Sequence, residues 1–275
     1  MINMPTKILL SLCKEDSDKS LLEAAKTIAN TSKSEVTLLY VSSEDITSAD
    51  RDYFNKVNTV LQEEGINTAP PALLQGDELD ETIRILNEGA FNLVIIAVVD
   101  EGDKDAARKT NIKLIRKTEV PIWEVKPGSS AEIKRILCPV DFSEHSERAL
   151  KNAIALAKLF NSELQVLSVF EPQKSTSVFI EKDNEDFKNE HKELMDSFLK
   201  NIDFINVQKD IKVRSGEPIE EIIAEAKDFD ANLLIMGSAG RSGIHRKAIG
   251  STTEKIIKDS PCSVIVIREQ NIIEA

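Results

Sequence analysis

One unit of alternating strand and helix is written twice in this chain, and that duplication constrains the fold more than any other feature. The run Ser34-Glu-Val-Thr-Leu-Leu-Tyr-Val41 returns as Ser162-Glu-Leu-Gln-Val-Leu-Ser-Val169, 128 positions later. Lys7-Ile-Leu9 returns as Arg135-Ile-Leu137 at the same offset. Asn92-Leu-Val-Ile-Ile96 returns as Asn232-Leu-Leu-Ile-Met236 at an offset of 140, so about twelve additional residues enter the second half, around 171–200. That stretch is polar and charged before Phe187 and reads as an extended loop leading into a longer helix, either a solvated excursion or a lid. Self-similarity on this scale means two domains from one template rather than a solenoid of short repeats.

Within the first half, short apolar runs at 7–12, 35–41 and 92–98 read as strands, with weaker ones at 72–74 and 121–125. Pro70-Pro71 makes 72–74 an edge strand. Between the strands, Leu21, Leu22, Ala25, Ile28 and Ala29 recur at helical spacing, as do Tyr53, Phe54, Val57, Val60 and Leu61 in a helix over 49–64. Helices at 79–88, closed by Gly89, and at about 106–117 complete the unit. Five strands alternating with helices predict a doubly wound parallel α/β sheet with right-handed crossovers. Pro127-Gly-Ser-Ser-Ala131 is the natural linker. The expected organisation is two tandem five-stranded domains, 1–127 and 133–275, joined at 128–132 and paired as an intramolecular pseudo-dimer.

Composition narrows the partners. A net charge of −12 opposes a broad nucleic-acid-binding surface, which needs clustered Lys and Arg. No apolar run approaches the roughly 20 residues that span a bilayer, and the start lacks a secretory signal, so a cytoplasmic protein without membrane contact is expected. Cys13, Cys138 and Cys262 are far apart, and the last two adjoin apolar runs, which suits buried free thiols. His145, His191 and His245 form no metal spacing, and no nucleophile elbow occurs.

The chemistry-bearing stretch is Gly237-Ser-Ala-Gly240-Arg241, followed by Gly250-Ser251-Thr252. It links an apolar strand to a helix start. Glycines let backbone amides approach an anion, and the unpaired amides of a helix start add positive potential. The same residues also suit a plain tight turn and an ordinary N-cap. Arg241, His245, Arg246 and Lys247 bring cationic character nearby.

The pattern G-x-x-G, nine residues, then G-S resembles the nucleotide-binding signature of the universal stress protein family, which Gly237, Gly240, Gly250 and Ser251 fit without a gap. Pro139-Val-Asp141-Phe-Ser143 is similar to the end of that family's first strand. The resemblance implies Rossmann-like domains of the adenine nucleotide hydrolase type and an ATP site, with Mg2+ accompanying the nucleotide. It implies Asp141 at the ribose or adenine end, with Pro139, Val140, Val169 and Met236 forming that wall. Gly237, Gly240, Gly250, Ser251 and Thr252 would hold the ribose and phosphates, with Arg241 a further phosphate contact.

The first half departs from the pattern. Cys13 stands for Asp141, Ala97 and Asp100 stand for Gly237 and Gly240, and Thr110-Asn111 or Arg108-Lys109 stands for Gly250-Ser251. No nucleotide site is expected there, only a structural and regulatory partner. The function implied is a nucleotide-dependent stress-response protein with protein partners, which could dimerise further. The alternatives are an interaction module with a vestigial pocket and a slow Mg-dependent ATPase; no catalytic residue is assigned.

Overall fold

The computed structural model of the chain describes residues 6–14, 16–98, 104–171, 180–240 and 249–272. Contacts group them into two units. One holds the described residues up to Glu132 together with those from Cys262 onward; the other runs from Ile133 to Pro261.

The first unit begins with β1 (Lys7–Ser11), α1 (Asp18–Ser32), β2 (Glu35–Ser42) and α2 (Ser48–Glu63). It continues through β3 (Asn67–Thr68), β4 (Ala72–Gln75), α3 (Glu78–Glu88), β5 (Leu93–Ala97), α4 (Lys104–Lys117) and β6 (Ile122–Val125). The apolar runs become the sheet interior: Ile8, Leu9, Leu10, Leu93, Val94 and Ile95 have no exposed surface. Each such side chain stabilises the fold by about 1.5–3 kcal/mol relative to exposure. Leu21 and Ile28 on α1 are equally buried, which uses the helical stripe read from the sequence. Local chemistry starts the helices. Thr47 and Asp50 form a reciprocal capping box on α2, and Asp77 caps α3 by accepting from the Asp80 amide. Strands β3 and β4 both flank β2, and β2, β1, β5 and β6 follow in order, all parallel.

The second unit runs β7 (Arg135–Val140), α5 (Glu144–Phe160), β8 (Glu163–Phe170), α6 (Ile180–Leu199), β9 (Lys209–Ser215), α7 (Pro218–Asp228), β10 (Leu233–Gly237) and α8 (Ser251–Asp259). Its strand order is β10-β7-β8-β9, again parallel. The longer helix expected near 171–200 is α6, at 20 residues against 16 in α2; 172–179 lie outside the described residues. The last strand, β11 (Ser263–Ile267), is the exception to the parallel pattern. It runs antiparallel to β6, with Ile265 opposite Trp123, and covers a strand flank that would otherwise present unpaired backbone groups.

Duplicated positions carry the same local solutions. The Asn92 side-chain oxygen accepts from the Thr6 and Lys7 amides at 2.9 and 3.1 Å, and that of Asn232 accepts from the Lys134 and Arg135 amides at 3.0 and 2.9 Å. Lys33 and Asn161 both leave their helix in the left-handed region, at φ 59° and 52°. Lys14 and Phe142 do so just after the first strand of each unit, at φ 61° and 66°. In each unit the chain moves outward from its first strand, then returns to that strand's other side, which leaves a crevice where the direction reverses.

Candidate functional site

In the second unit that crevice lies between the carboxyl ends of β7 and β10. It holds a cavity of about 300 Å3. Pro139 and Val140 reach it from the end of β7, Asp141 from the following turn, and Val169 from β8. Met236 and Gly237 close β10, Gly240 follows, and Gly250, Ser251 and Thr252 open α8. Ten of the eleven residues singled out by the sequence thus line one cavity; the eleventh, Arg241, lies outside the described residues, as do His245, Arg246 and Lys247. The sequence did not point to Ser146, Leu167, Pro218, Ile222, Ala239 or Thr253, which also line it. Pro218 and Ile222 come from α7, whose apolar face gave no sign of pointing at the strand ends.

The Asp141 turn is tightly specified. Its Oδ1 accepts from the Ser143 amide at 3.2 Å and from the Ser143 hydroxyl at 2.5 Å, and its own amide donates to Ser146 Oγ at 3.3 Å. Ser143 also caps α5 by accepting from the Ser146 amide. The other carboxylate oxygen faces Gly240 so closely that a Cβ there would overlap it. Gly240 is therefore a place where the backbone must come close to a carboxylate.

The start of α8 divides its amides. The Gly250 amide donates to the Ser238 carbonyl at 2.8 Å, so this glycine fastens the loop. Gly250 is the N-cap and brings no side-chain cap, which leaves the amides of the first turn to face whatever occupies the cavity. Ser251 and Thr252 add hydroxyls. Thr253 is buried, and its hydroxyl donates to the Gly237 carbonyl at 2.9 Å, tying the helix start to the end of β10. The arrangement combines apolar walls, one carboxylate and a helix N-terminus. It suits a ligand with a flat apolar body, hydroxyls and an anionic tail.

The equivalent crevice of the first unit is much smaller, a cavity of about 70 Å3 lined by Ser11, Cys13, Glu78, Leu79, Thr82, Ile96, Ala97, Thr110, Asn111 and Leu114. Cys13, Ala97, Thr110 and Asn111 all fall there; Asp100 lies outside the described residues. Asn111 takes the part of Thr253: its amide nitrogen donates to the Ala97 carbonyl at 3.1 Å. The same nitrogen donates at 2.6 Å to Glu124 on β6, a side chain 1% exposed. Burial pushes the Glu124 carboxyl up to about 7, against the pull of Asn111 and of the Arg108 guanidinium.

None of the three cysteines is in a disulfide, Cys138 and Cys262 are buried, and burial raises the pKa of the Cys138 thiol, which disfavours its thiolate. Among the described residues, no group of His, Cys, Asp and Glu side chains is placed to hold a metal ion, and no helix is long and apolar enough to cross a membrane.

Comparison with known proteins places this geometry. The Universal stress protein family matches residues 132–268. Universal stress protein MJ0577 of Methanocaldococcus jannaschii is 34% identical over 161 residues, which is 52% of this chain and 99% of that protein. Universal stress protein YxiE of Bacillus subtilis is 28% identical over 49% of this chain and 98% of its own length. Two solved structures share the fold over nearly the whole chain. The functionally unknown protein PA1789 of Pseudomonas aeruginosa covers 98% of this chain and 94% of its own, with a TM-score of 0.77 at 19% identity. A universal stress protein of Archaeoglobus fulgidus covers 96% and 98%, with a TM-score of 0.63 at 19% identity. With a relative matched end to end, the family's fold, and the spaced glycines gathered at the crevice that fold leaves open, the chain belongs to the universal stress protein family.

Proposed function

We propose that the chain is a tandem universal stress protein, with domains at 1–127 and 133–275, that binds ATP in the second domain and uses occupancy to set its conformation or choice of protein partner. One observation carries this reading: residues chosen from a gapped motif, far apart in sequence, share a single cavity at the switch point of a parallel sheet. Val140, Leu167, Val169, Ile222 and Met236 offer apolar surface to the adenine. Asp141 accepts from ribose hydroxyls. The first-turn amides of α8, with the Ser251 and Thr252 hydroxyls, take the phosphates. Mg2+ comes with the nucleotide and neutralises phosphate charge when bound.

The first domain is the silent partner in this proposal. Its crevice is about a quarter the volume, and Asn111, in the middle of α4, reaches across to the Ala97 carbonyl. The working compartment is the cytoplasm, and further homodimerisation belongs to the same proposal. Calorimetry with Mg·ATP tests the site: saturable binding that Gly250→Val removes supports it. Absence of binding by the unmodified protein turns the reading to an interaction module.

A further inference from the structure

The turn that delivers Asp141 to the cavity passes through a left-handed residue. Phe142 has φ 66°, a conformation that costs a bulky side chain roughly 1–2 kcal/mol and persists only with outside support. That support comes from α6. The Phe142 ring lies 5.0 Å from the His191 imidazole and 5.5 Å from the Phe198 ring. His191 is itself fixed, its ring 5.2 Å from Phe170 and its Nε2 2.8 Å from Ser168 Oγ. Ser168 Oγ stands 3.1 Å from the Val140 carbonyl. The Ser168 hydroxyl donates to that carbonyl, an arrangement that goes with the tautomer carrying its proton on Nε2. The carbonyl belongs to Val140, which lines the cavity, and Phe142 follows Asp141 directly.

The first unit reaches the same end with different chemistry. Lys14, at φ 61°, is held by an ion pair to Asp50 on α2, and its ammonium lies 4.8 Å over the Tyr40 ring. In both units the helix after the second strand reaches back to hold the turn after the first.

We propose that His191 is a positioning residue for the cavity: through Phe142 and Ser168 it couples the seating of α6 on β8 to the placement of Asp141. A partner that shifts α6 would then change the cavity's affinity without touching it. The proposal rests on the nucleotide reading of the same site, so its test includes a readout that needs no nucleotide.

The variants are His191→Leu, which keeps bulk and removes the donor, and His191→Gln, which restores a donor. Each is made in the unmodified chain and with Asp141→Asn. Mg·ATP affinity, hydrogen exchange of the 141–146 amides and melting temperature are measured. His191→Leu should weaken Mg·ATP binding roughly tenfold and speed exchange at 141–146, and His191→Gln should recover most of both. With Asp141→Asn in place, His191→Leu should add little further loss. Unchanged affinity and exchange in His191→Leu overturns the proposal. So does a loss equally large with Asp141→Asn, or one that His191→Gln does not relieve. If the unmodified protein binds no nucleotide, the function proposed above fails, and the exchange data alone decide whether His191 holds the turn.

Discussion

Gly237 and the backbone of His145 approach so closely that no side chain fits between them. A Cβ on Gly237 would lie 2.8 Å from both the carbonyl carbon and the carbonyl oxygen of His145, in the first turn of α5. Backbone cannot swing aside as a flexible side chain can. Gly237→Ala should therefore cost about 1–3 kcal/mol of stability by overpacking, read as a lower denaturation midpoint. Nucleotide binding should fall with it, because α5 carries the cap of the Asp141 turn.

Gly250 predicts the opposite separation. Its φ of −66° suits any residue, and an added Cβ would meet Ala239 Cα at an ordinary 3.5 Å. Gly250→Val should leave the melting temperature within a few degrees of the parent and weaken Mg·ATP roughly tenfold or more by crowding the phosphates. Calorimetry paired with thermal denaturation distinguishes this from the behaviour at position 237.

Ser143 both caps α5 and holds Asp141 Oδ1. Ser143→Ala removes the cap, worth about 1 kcal/mol, and takes the hydroxyl bond from the carboxylate, leaving it the backbone amide at 143. Denaturant titration should show the stability loss. Affinity for Mg·ATP should fall as well, which a cap alone would not cause.

Glu124 makes stability depend on pH. Its carboxyl rises from an ordinary 4.5 to about 7 in the fold, so the folded chain holds a proton that the unfolded chain releases. The contribution is fully present below about 4.5 and is lost as pH rises through about 7. Across that window the loss amounts to about 3 kcal/mol. Denaturation from pH 5 to 8 should show stability falling in the parent, with that component absent in Glu124→Gln.

Much of this was legible in the sequence because strands buried on both faces read as continuous apolar runs, as 92–98 does. The spaced glycines were legible because a crevice at strand ends accepts few other residues. Other parts left no signal. Strand β9 alternates charges along its length, Lys-Asp-Ile-Lys-Val-Arg-Ser, and so hides as a loop. The antiparallel pairing of β11 with β6 is set by which strand flank lies open, a tertiary choice that local pattern does not encode. Nor does the motif show that the Gly250 amide donates to the Ser238 carbonyl. Thr253, one residue beyond the motif, makes the bond that holds the helix start in place.

The central claim is one nucleotide site, in the second half of the chain. Purified protein, stripped of ligand, saturated with Mg·ATP and separated from free nucleotide, should release on denaturation about one equivalent of adenine nucleotide per chain. Two equivalents would show that the smaller crevice of the first unit opens to bind as well. None, with no heat of binding by calorimetry, would contradict the nucleotide reading outright.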